Sequence, residues 1–594
     1  MIQELIRFYD NYMPDDKRIP YGYSLKAFGY ALNIDEDGNL LDIVSLVNVD
    51  KKEHGLEFVV PDNGKPESSG AVPRFLWGKM KYIFKVEGRE KDFIYFEKQK
   101  QFHLSLLKKA SEEGNKNAKA ICRYFENAGI SRFTKDEKKQ YDAYLFTFRV
   151  NGMYLFDDKT LCAYWDAYMN EGKQGISAFT GEKGKLLEGP HPQFSSAIIK
   201  GTGSGSPLIF RKKDIDAYQM EMPLPQITQL DVHKYSSAFE YLMTRKEMRT
   251  REERKEKTDK KTGEKVVTVK TVEYPYFYHK NVIGDELTLM YWAESKTPLD
   301  MNPMFGRSDK AEDGLKADDL RDMLVRACCG LGFKVGEDNP VVHIYGLIGV
   351  TGRIRLVFSA HELANDVIEN AAAHQKRMCL VGLKRIPSVF NIMDLIIADS
   401  EKTSYYNNVI KDLVMAIVLG TNYPERLYVA AIEKLKTGII SGDFKIGSYF
   451  GTNLVSLIKA VLIKNYKMEV SEKLDELEMN TAYLLGRAYA AGWLYTDSKR
   501  RDNMTKVMER WYRPAQETPK MAYAPYFASA RVYDLKDYKI AEIMKNVKEI
   551  PERLSLKEQG MWVLGFYHEY AKIFKIGEPK KENGLNSADV SEKE

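Results

Sequence analysis

The sequence predicts an α+β protein: a mixed α/β N-terminal part with short antiparallel strands and long loops, then an all-helical C-terminal bundle. Three observations predict it. Hairpin signals and alternating apolar runs are concentrated before about residue 360. From there to about residue 575 nearly every segment repeats its apolar residues at helical spacing. With 44% hydrophobic and 29% charged residues, 594 residues can bury several cores, and neither disorder nor a repeat architecture is indicated. The expected domains are 1–360, a helical connecting region 361–467, a helical bundle 468–578, and a polar tail 579–594 expected to be disordered.

The elements follow in order. Ile2, Leu5, Ile6 and Tyr9 share one face of a first helix, which Pro14 ends. Two strands then flank Asp37-Gly38, a hairpin turn. Asp35, Glu36 and Asp37 belong to that turn and not to a calcium loop, because the glycine comes too early and no Glu closes the loop. A short strand at Phe58 runs into a Pro/Gly/Ser loop that carries Lys65, Ser68, Ser69, Gly70 and Arg74, and an apolar stretch and Lys79 follow it. Residues 98–128 read as helix, and 144–165 as strand then helix. Residues 176–210 are turn-rich, and 246–270 form a charge run that passes into the alternating VVTVKTVEY. Further strands are expected at 283–292 and 341–358, and helix breaks near Tyr423-Pro424, Gly442, Pro514 and Pro519.

Composition limits the function. The 89 basic and 84 acidic residues leave +5, so basic residues mean nucleic acid only where they cluster. Five scattered cysteines without a CxxC pair argue against a disulfide scaffold and a thiolate zinc site and fit a reducing cytoplasm. No run reaches the roughly 18 to 20 apolar residues of a membrane helix. The charged N-terminus does not read as a signal peptide. Tyr at 37 exceeds Phe at 27, supplying rings suited to interfaces and to base stacking.

No catalytic motif stands out. The Gly201–Ser206 run and Thr180–Lys185 lack the Gly-Lys-Ser/Thr ending of a phosphate-binding loop. A loop touching a polyanion backbone suits the glycine run better. His361-Glu362 misses the zinc-protease motif because Asn365 stands where the second His belongs. His191 sits between prolines, where a structural hydrogen bond is expected. No metal or cofactor site is expected. The basic residues are more informative. Lys499, Arg500 and Arg501 form a run, Lys506, Arg510 and Arg513 share one helix face beside Val507 and Trp511, and Arg487, Lys459, Lys464 and Lys467 lie in preceding helices. Basic residues recurring over consecutive helices with interleaved aromatics leave two readings, a solvated helix face and a nucleic-acid track.

Taken together and in order, several segments resemble one family. They are IPYGYS (Ile19–Ser24), the IDEDGNL hairpin, SSGAVPRFLWGKMKYIF (Ser68–Phe84), SAFTGEKGKLLEGPHPQF with the glycine-rich loop after it, NVIGDELTLMYWAE (Asn281–Glu294), YGLIGVTGRIRLVF (Tyr345–Phe358), GTNYPERL and TAYLLGRAYAAG. The chain is similar over nearly its whole length to the large subunit of type I-C CRISPR surveillance complexes, the Cas8c or Csd1 family. It departs from the family pattern at Ser68, Arg74 and Gly78, where the family carries Arg, Asn and Asp.

The resemblance implies a non-enzymatic Cascade subunit working with Cas5, Cas7, the guide crRNA, target double-stranded DNA and the Cas3 helicase-nuclease. It implies recognition of the short motif flanking the target (the PAM), duplex opening, stabilisation of the R-loop and Cas3 recruitment in antiviral defence. Base pairing then reads sequence while protein reads the flanking motif and backbone. Lys65, Ser68, Ser69, Gly70, Arg74 and Lys79 are the expected motif-reading residues. Arg487, Lys499, Arg500, Arg501, Lys506, Arg510 and Arg513 are the expected backbone and displaced-strand contacts. The resemblance also implies a small subunit made by internal translation of the C-terminal helices, for which Met468 and Met479 are the candidate starts. The competing reading is a metal-dependent nuclease whose carboxylates assemble from distant segments.

Overall fold

Residues 23–34 form the longest strand of the N-terminal sheet, buried without a break from Phe28 to Leu32, and the sheet grows on both its sides. In the computed structural model, which describes residues 1–47, 55–64, 71–189, 191–194, 198–199, 205–206, 225–258, 265–284, 286–296, 300–306, 339–350, 352–397, 406–497, 510–529 and 538–577, the chain forms two compact units. One comprises residues 1–192 and 209–241, the other 193–208 and 242–594.

The first unit opens with α1 (Ile2–Asn11), whose Ile2, Leu5, Ile6 and Tyr9 are buried. Strand β1 (Tyr23–Ile34) pairs antiparallel with β2 (Leu40–Ser45) through its second half and with β3 (Leu56–Pro61) through its first. The turn between β1 and β2 is held by Asp35, whose carboxylate accepts the N–H of Asp37 at 2.9 Å and of Asn39 at 2.8 Å. The Asn39 side-chain amide, which donates to the other Asp35 oxygen at 2.9 Å, and then these backbone bonds hold the Asp35 carboxyl below its ordinary value. Downstream come β4 (Trp77–Lys79), α2 (Phe93–Glu112), α3 (Lys116–Asn127), β5 (Leu145–Val150) and α4 (Lys159–Asn170). Strand β5 lies parallel to β1 and antiparallel to β4, so the main path of the sheet is β2-β1-β5-β4. Its buried face carries Phe28, Tyr30, Leu32, Phe146 and Phe148, packed with Phe96, Phe125 and Trp165 from the helices. The side chains of Asn115 and Asp158 cap α3 and α4. Each such cap stabilises its helix by about 1 kcal/mol.

The next helix, α5 (Gln229–Thr244), leads to β6 (Lys246–Thr258) and β7 (Lys265–Phe277), an antiparallel pair. The described part of the charge run therefore lies in this pair of strands. A second sheet follows from β8 (Lys280–Ile283), β9 (Leu287–Ala293), β10 (Val341–Val350) and β11 (Gly352–Leu363). Its hydrogen-bonded order is β8-β9-β10-β11, and Gly205–Ser206 adds a short parallel strand beside Gly352–Arg353. Strand β9 is buried at every position, as a strand covered on both faces must be.

Helices then take over: α6 (Ala364–Met378), α7 (Val389–Ile396), α8 (Asn407–Val418), α9 (Glu425–Ser441), α10 (Tyr449–Lys464), α11 (Thr481–Asp497), α12 (Pro519–Ser529), α13 (Tyr538–Lys545) and α14 (Leu556–Ile573). Gly442 ends α9 in the left-handed conformation, and a Ser555–Glu558 capping box starts α14. Helices α10 and α14 are buried nearly all round and form the centre of this unit. One continuous core runs from Ile283 and Tyr291 in the sheet to Trp562 and Phe566 in α14. The second sheet thus shares its core with the helices, and the boundary between units does not coincide with the change of pattern near residue 360. Strand alternation and helical periodicity report local structure, whereas a shared core joins them. Of the segment between helices, 518 is the break, and Pro514 lies inside a helical turn. The tail 579–594 lies outside the described residues.

Candidate nucleic-acid interface

Two regions hold the basic residues expected to meet nucleic acid. In the first unit the loop between β3 and β4 has a narrow neck. Asp62 and Arg74 bracket it in sequence and meet there, Arg74 Nη1 lying 2.5 Å from Asp62 Oδ1 and 2.8 Å from Asn63 Oδ1. Lys26 Nζ stands 3.2 Å from the other Asp62 oxygen, which also accepts the Ser24 hydroxyl at 2.8 Å. Burial would raise the Asp62 carboxyl. The Ser24 hydroxyl, the Arg74 and Lys26 charges and the Gly64 N–H outweigh it and hold the group below the ordinary carboxylate value. The Arg74 guanidinium also lies 5.3 Å from the centre of the Trp77 ring, whose Nε1 donates to Pro61 O at 2.6 Å.

The backbone beneath the neck is fixed as firmly. Gln99 on α2 accepts from Arg74 N at 2.8 Å and donates to Arg74 O at 2.6 Å and Trp77 O at 3.0 Å. Leu76 adopts a left-handed φ of 64°, which is costly for a side chain branched beyond Cβ. Its N–H donates to His103 Nε2 at 3.0 Å, and His103 Nδ1 lies 2.9 Å from Gln99 O. Nδ1 therefore carries the proton and Nε2 is the acceptor. Burial pushes the His103 pKa down to about 4 against the opposing pull of the Gln99 carbonyl, so the ring stays neutral. Lys79 is exposed at the end of β4 and lines a cleft of about 190 Å³ with Ala27, Gly55 and Tyr144. Lys65, Ser68, Ser69 and Gly70 lie outside the described residues. Arg74 differs from the sequence expectation of an exposed side chain. It is buried and ion-paired, and Asp62, its long-range partner, is separated from it by a loop that leaves no local signal.

In the second unit Arg487 also faces inward. It lies on α11, and its Nε donates to Glu569 of α14 at 3.1 Å, both residues being buried. Helical spacing shows which residues share a face but not which face is solvated. Arg513 is exposed yet sits 3.4 Å from both Glu433 and Glu517, which also bind the buried Lys436. Arg510 is exposed and stacks its guanidinium 5.0 Å from the Trp511 ring centre. Lys459 is buried and donates to Arg377 O at 3.2 Å. Lys499, Arg500, Arg501 and Lys506 lie outside the described residues, so the structure brings together only the end of the expected track.

A family model described as CRISPR-associated protein (Cas_Csd1) matches residues 5–267 and 277–574. The chain belongs to that family. No curated protein matches it. The Csd1 match spans the loop after β3, the second sheet and the helices through α14, including Lys499 to Arg513. Other motifs of this Csd1 chain resolve as structure. The described end of the glycine run, Gly205–Ser206, is a strand, and a Cβ at Gly205 would lie 2.6 Å from the Arg353 backbone. His361 Nδ1 lies 2.7 Å from His343 Nδ1, and His343 Nε2 lies 3.2 Å from Glu294. His191 Nδ1 meets the Tyr235 hydroxyl at 2.7 Å. Among the described residues no group of three His, Cys, Asp or Glu side chains is arranged to hold a metal, and no helix is long and apolar enough to cross a membrane.

Proposed function

We propose that this chain is the non-catalytic large subunit of a type I-C RNA-guided surveillance complex, acting in the cytoplasm with Cas5, Cas7, crRNA and target DNA. The family match over nearly the whole chain carries this reading. Its proposed work is to read the flanking motif, help open the duplex, stabilise the displaced strand and recruit Cas3. The loop after β3 suits the first task, because its neck is rigid at Asp62–Arg74 while its length is rich in residues that approach DNA closely. Lys65, Ser68, Ser69, Gly70 and Lys79 are the proposed DNA contacts. Arg74 is proposed to position them through Asp62 and Trp77. Preorganising a loop in this way lowers the ordering cost of binding. Lys499, Arg500, Arg501, Lys506 and Arg510 are the proposed backbone contacts, with Arg513 shared between that surface and its carboxylates.

The test is binding of the assembled complex to matched targets that differ only in the flanking motif. Replacing Lys65, Ser68 and Ser69 with Ala should remove about 1 to 3 kcal/mol of discrimination between motifs. Equal losses on every motif would reduce the loop to a phosphate contact. The competing nuclease reading requires the purified chain to cut DNA with magnesium or manganese, and no cleavage is expected.

A further inference from the structure

The ends of α6 and α10 bring together positive charges that the motif-reading proposal does not use. Arg377 lies in the last turn of α6, Lys464 ends α10, and Lys467 follows three residues later in a left-handed conformation with φ 54°. Arg377 is aimed by Tyr423. Its Nε donates to the Tyr423 hydroxyl at 3.4 Å, and its guanidinium lies 5.7 Å from that ring's centre. Tyr423 is held in turn on both sides. His374 Nδ1 lies 2.6 Å from its hydroxyl, and Asn465 accepts its N–H at 3.0 Å and donates to its carbonyl at 2.8 Å. Asn465 stands between Lys464 and Lys467 in the chain, so the Tyr423–Asn465 clasp draws the end of α10 to Arg377.

Ordinary explanations cover each cation alone. A basic residue in a last helical turn complements the helix dipole. That does not explain their convergence, since both ends are already capped, by Cys379 N to Gln375 O at 2.9 Å and Asn465 N to Val461 O at 2.8 Å. No carboxylate of a described residue pairs with Arg377, Lys464 or Lys467. Glu472 acts on Lys459 and Glu425 on Tyr466 instead. The second terminal nitrogen of Arg377, Nη2, is buried without a hydrogen-bond partner. A buried charged donor left unmade is costly unless an acceptor arrives. Burial first, and then the Arg377 and Lys467 charges, lower the Lys464 pKa. An oxyanion between the three would relieve both costs.

We infer that Arg377, Lys464 and Lys467 form a binding site for a phosphate group, with Arg377 Nη2 as its buried donor and the two lysines as its charge clamp. The site stands on its own geometry and does not require the flanking-motif reading. Two sources share this chemistry, a phosphodiester of a nucleic-acid strand and free inorganic phosphate. The experiment uses the full chain with Lys464→Gln and Lys467→Gln together, with Lys464→Arg and Lys467→Arg as the conservative pair. Binding of a labelled deoxythymidine oligomer is followed by anisotropy over a salt series, and inorganic phosphate by phosphorus NMR line broadening. If a strand occupies the site, the Gln pair should weaken oligomer binding and flatten the salt slope by about 1.4, two contacts at about 0.7 each, and the Arg pair should restore both. Lost phosphate broadening with unchanged oligomer binding would keep the site and assign it to the free anion. Unchanged behaviour toward both probes in a folded Gln variant overturns the proposal. Should the Gln pair fail to fold, Lys467→Gln alone, at an exposed position, carries the same test with a slope change of about 0.7.

Discussion

At the scale of single residues, Arg74 neutralises a buried carboxylate at the neck of the loop after β3. Its charge was legible; its partner Asp62 was not, because a loop separates them and ion pairing across a loop has no periodicity. Removing Arg74 leaves Asp62 buried with only Lys26 opposite, so Arg74→Ala should cost about 3 kcal/mol of stability. Denaturant unfolding would measure it, and Asp62→Asn in the same background should recover part of the loss. An unchanged stability would return Arg74 to the role of a free DNA contact. The same carboxyl makes stability acid-sensitive. Because its folded pKa is depressed, Asp62 contributes fully above the unfolded value of about 3.9, and its contribution is lost as pH falls through the folded value. His103 acts at higher pH. An unfolded His protonates near pH ~6.5, whereas the folded ring does so near 4. Between those values the unfolded state binds more protons, so stability falls as pH falls, by about 3 kcal/mol over the window. Protonation would also set an N–H against Leu76 N–H and loosen the left-handed turn beside Arg74. His103→Gln, which keeps an acceptor, should flatten the stability profile between pH ~4 and ~6.5. A profile as steep as that of the unaltered protein would assign the proton uptake elsewhere.

At the scale of elements, the turn at Asp37-Gly38, the first helix and the helical run after residue 360 were legible because each is written in local periodicity and turn chemistry. The charge run at 246–270 was harder. Over 246–258 it has no alternation of apolar and polar residues, and the pairing with β7 that makes that stretch a strand is invisible locally. The approach of α11 to α14 was equally hidden. At Gly486 an added Cβ would lie 2.0 Å from Trp562 O, and at Gly565 2.1 Å from Tyr483 O, so these two glycines let the backbones touch. Gly565→Ala should therefore destabilise the protein by about 3 kcal/mol, since backbone cannot yield as a side-chain tip does. A thermal melt measures it, and an unshifted midpoint would mean that the helices are not in contact at that point. Arg487, one residue from Gly486, bridges the same pair of helices. Arg487→Ala should lose about 3 to 5 kcal/mol by removing the guanidinium paired with the buried Glu569. DNA affinity measured where the variant remains folded should not change, which separates this arginine from the exposed Arg510.

At the scale of the whole molecule, the α+β class was legible and the core shared between the second sheet and the helices was not, because it leaves no mark on either pattern. That shared core bears on the expected second product of the gene. Met468 and Met479 lie in the segment between α10 and α11, so neither is a helix methionine. Met479 is exposed and immediately precedes Asn480, whose side chain accepts the N–H of Tyr483 at 3.2 Å. A chain begun at Met479 would keep the start of α11 intact. Helices α11, α12 and α14 also hold one another through their own contacts. Tyr489 stacks on Tyr526 at 4.3 Å, and Tyr523 donates to Leu485 O and accepts from Trp562 Nε1 at 2.8 Å. Somewhat over a hundred residues can bury enough surface to fold alone. Yet Tyr428 of α9 reaches Leu556 O at 3.3 Å, and Tyr567 of α14 reaches Val381 O at 2.6 Å. A separate fragment would expose the faces those contacts cover, so it is expected to remain with the complex and not free in solution. Mass spectrometry of the purified complex should find a C-terminal fragment beginning at Met468 or Met479. Replacing both with Leu, which conserves volume, should abolish it while the full chain still folds. A complex made from the unaltered gene that contains no such fragment would end the idea of an internal start.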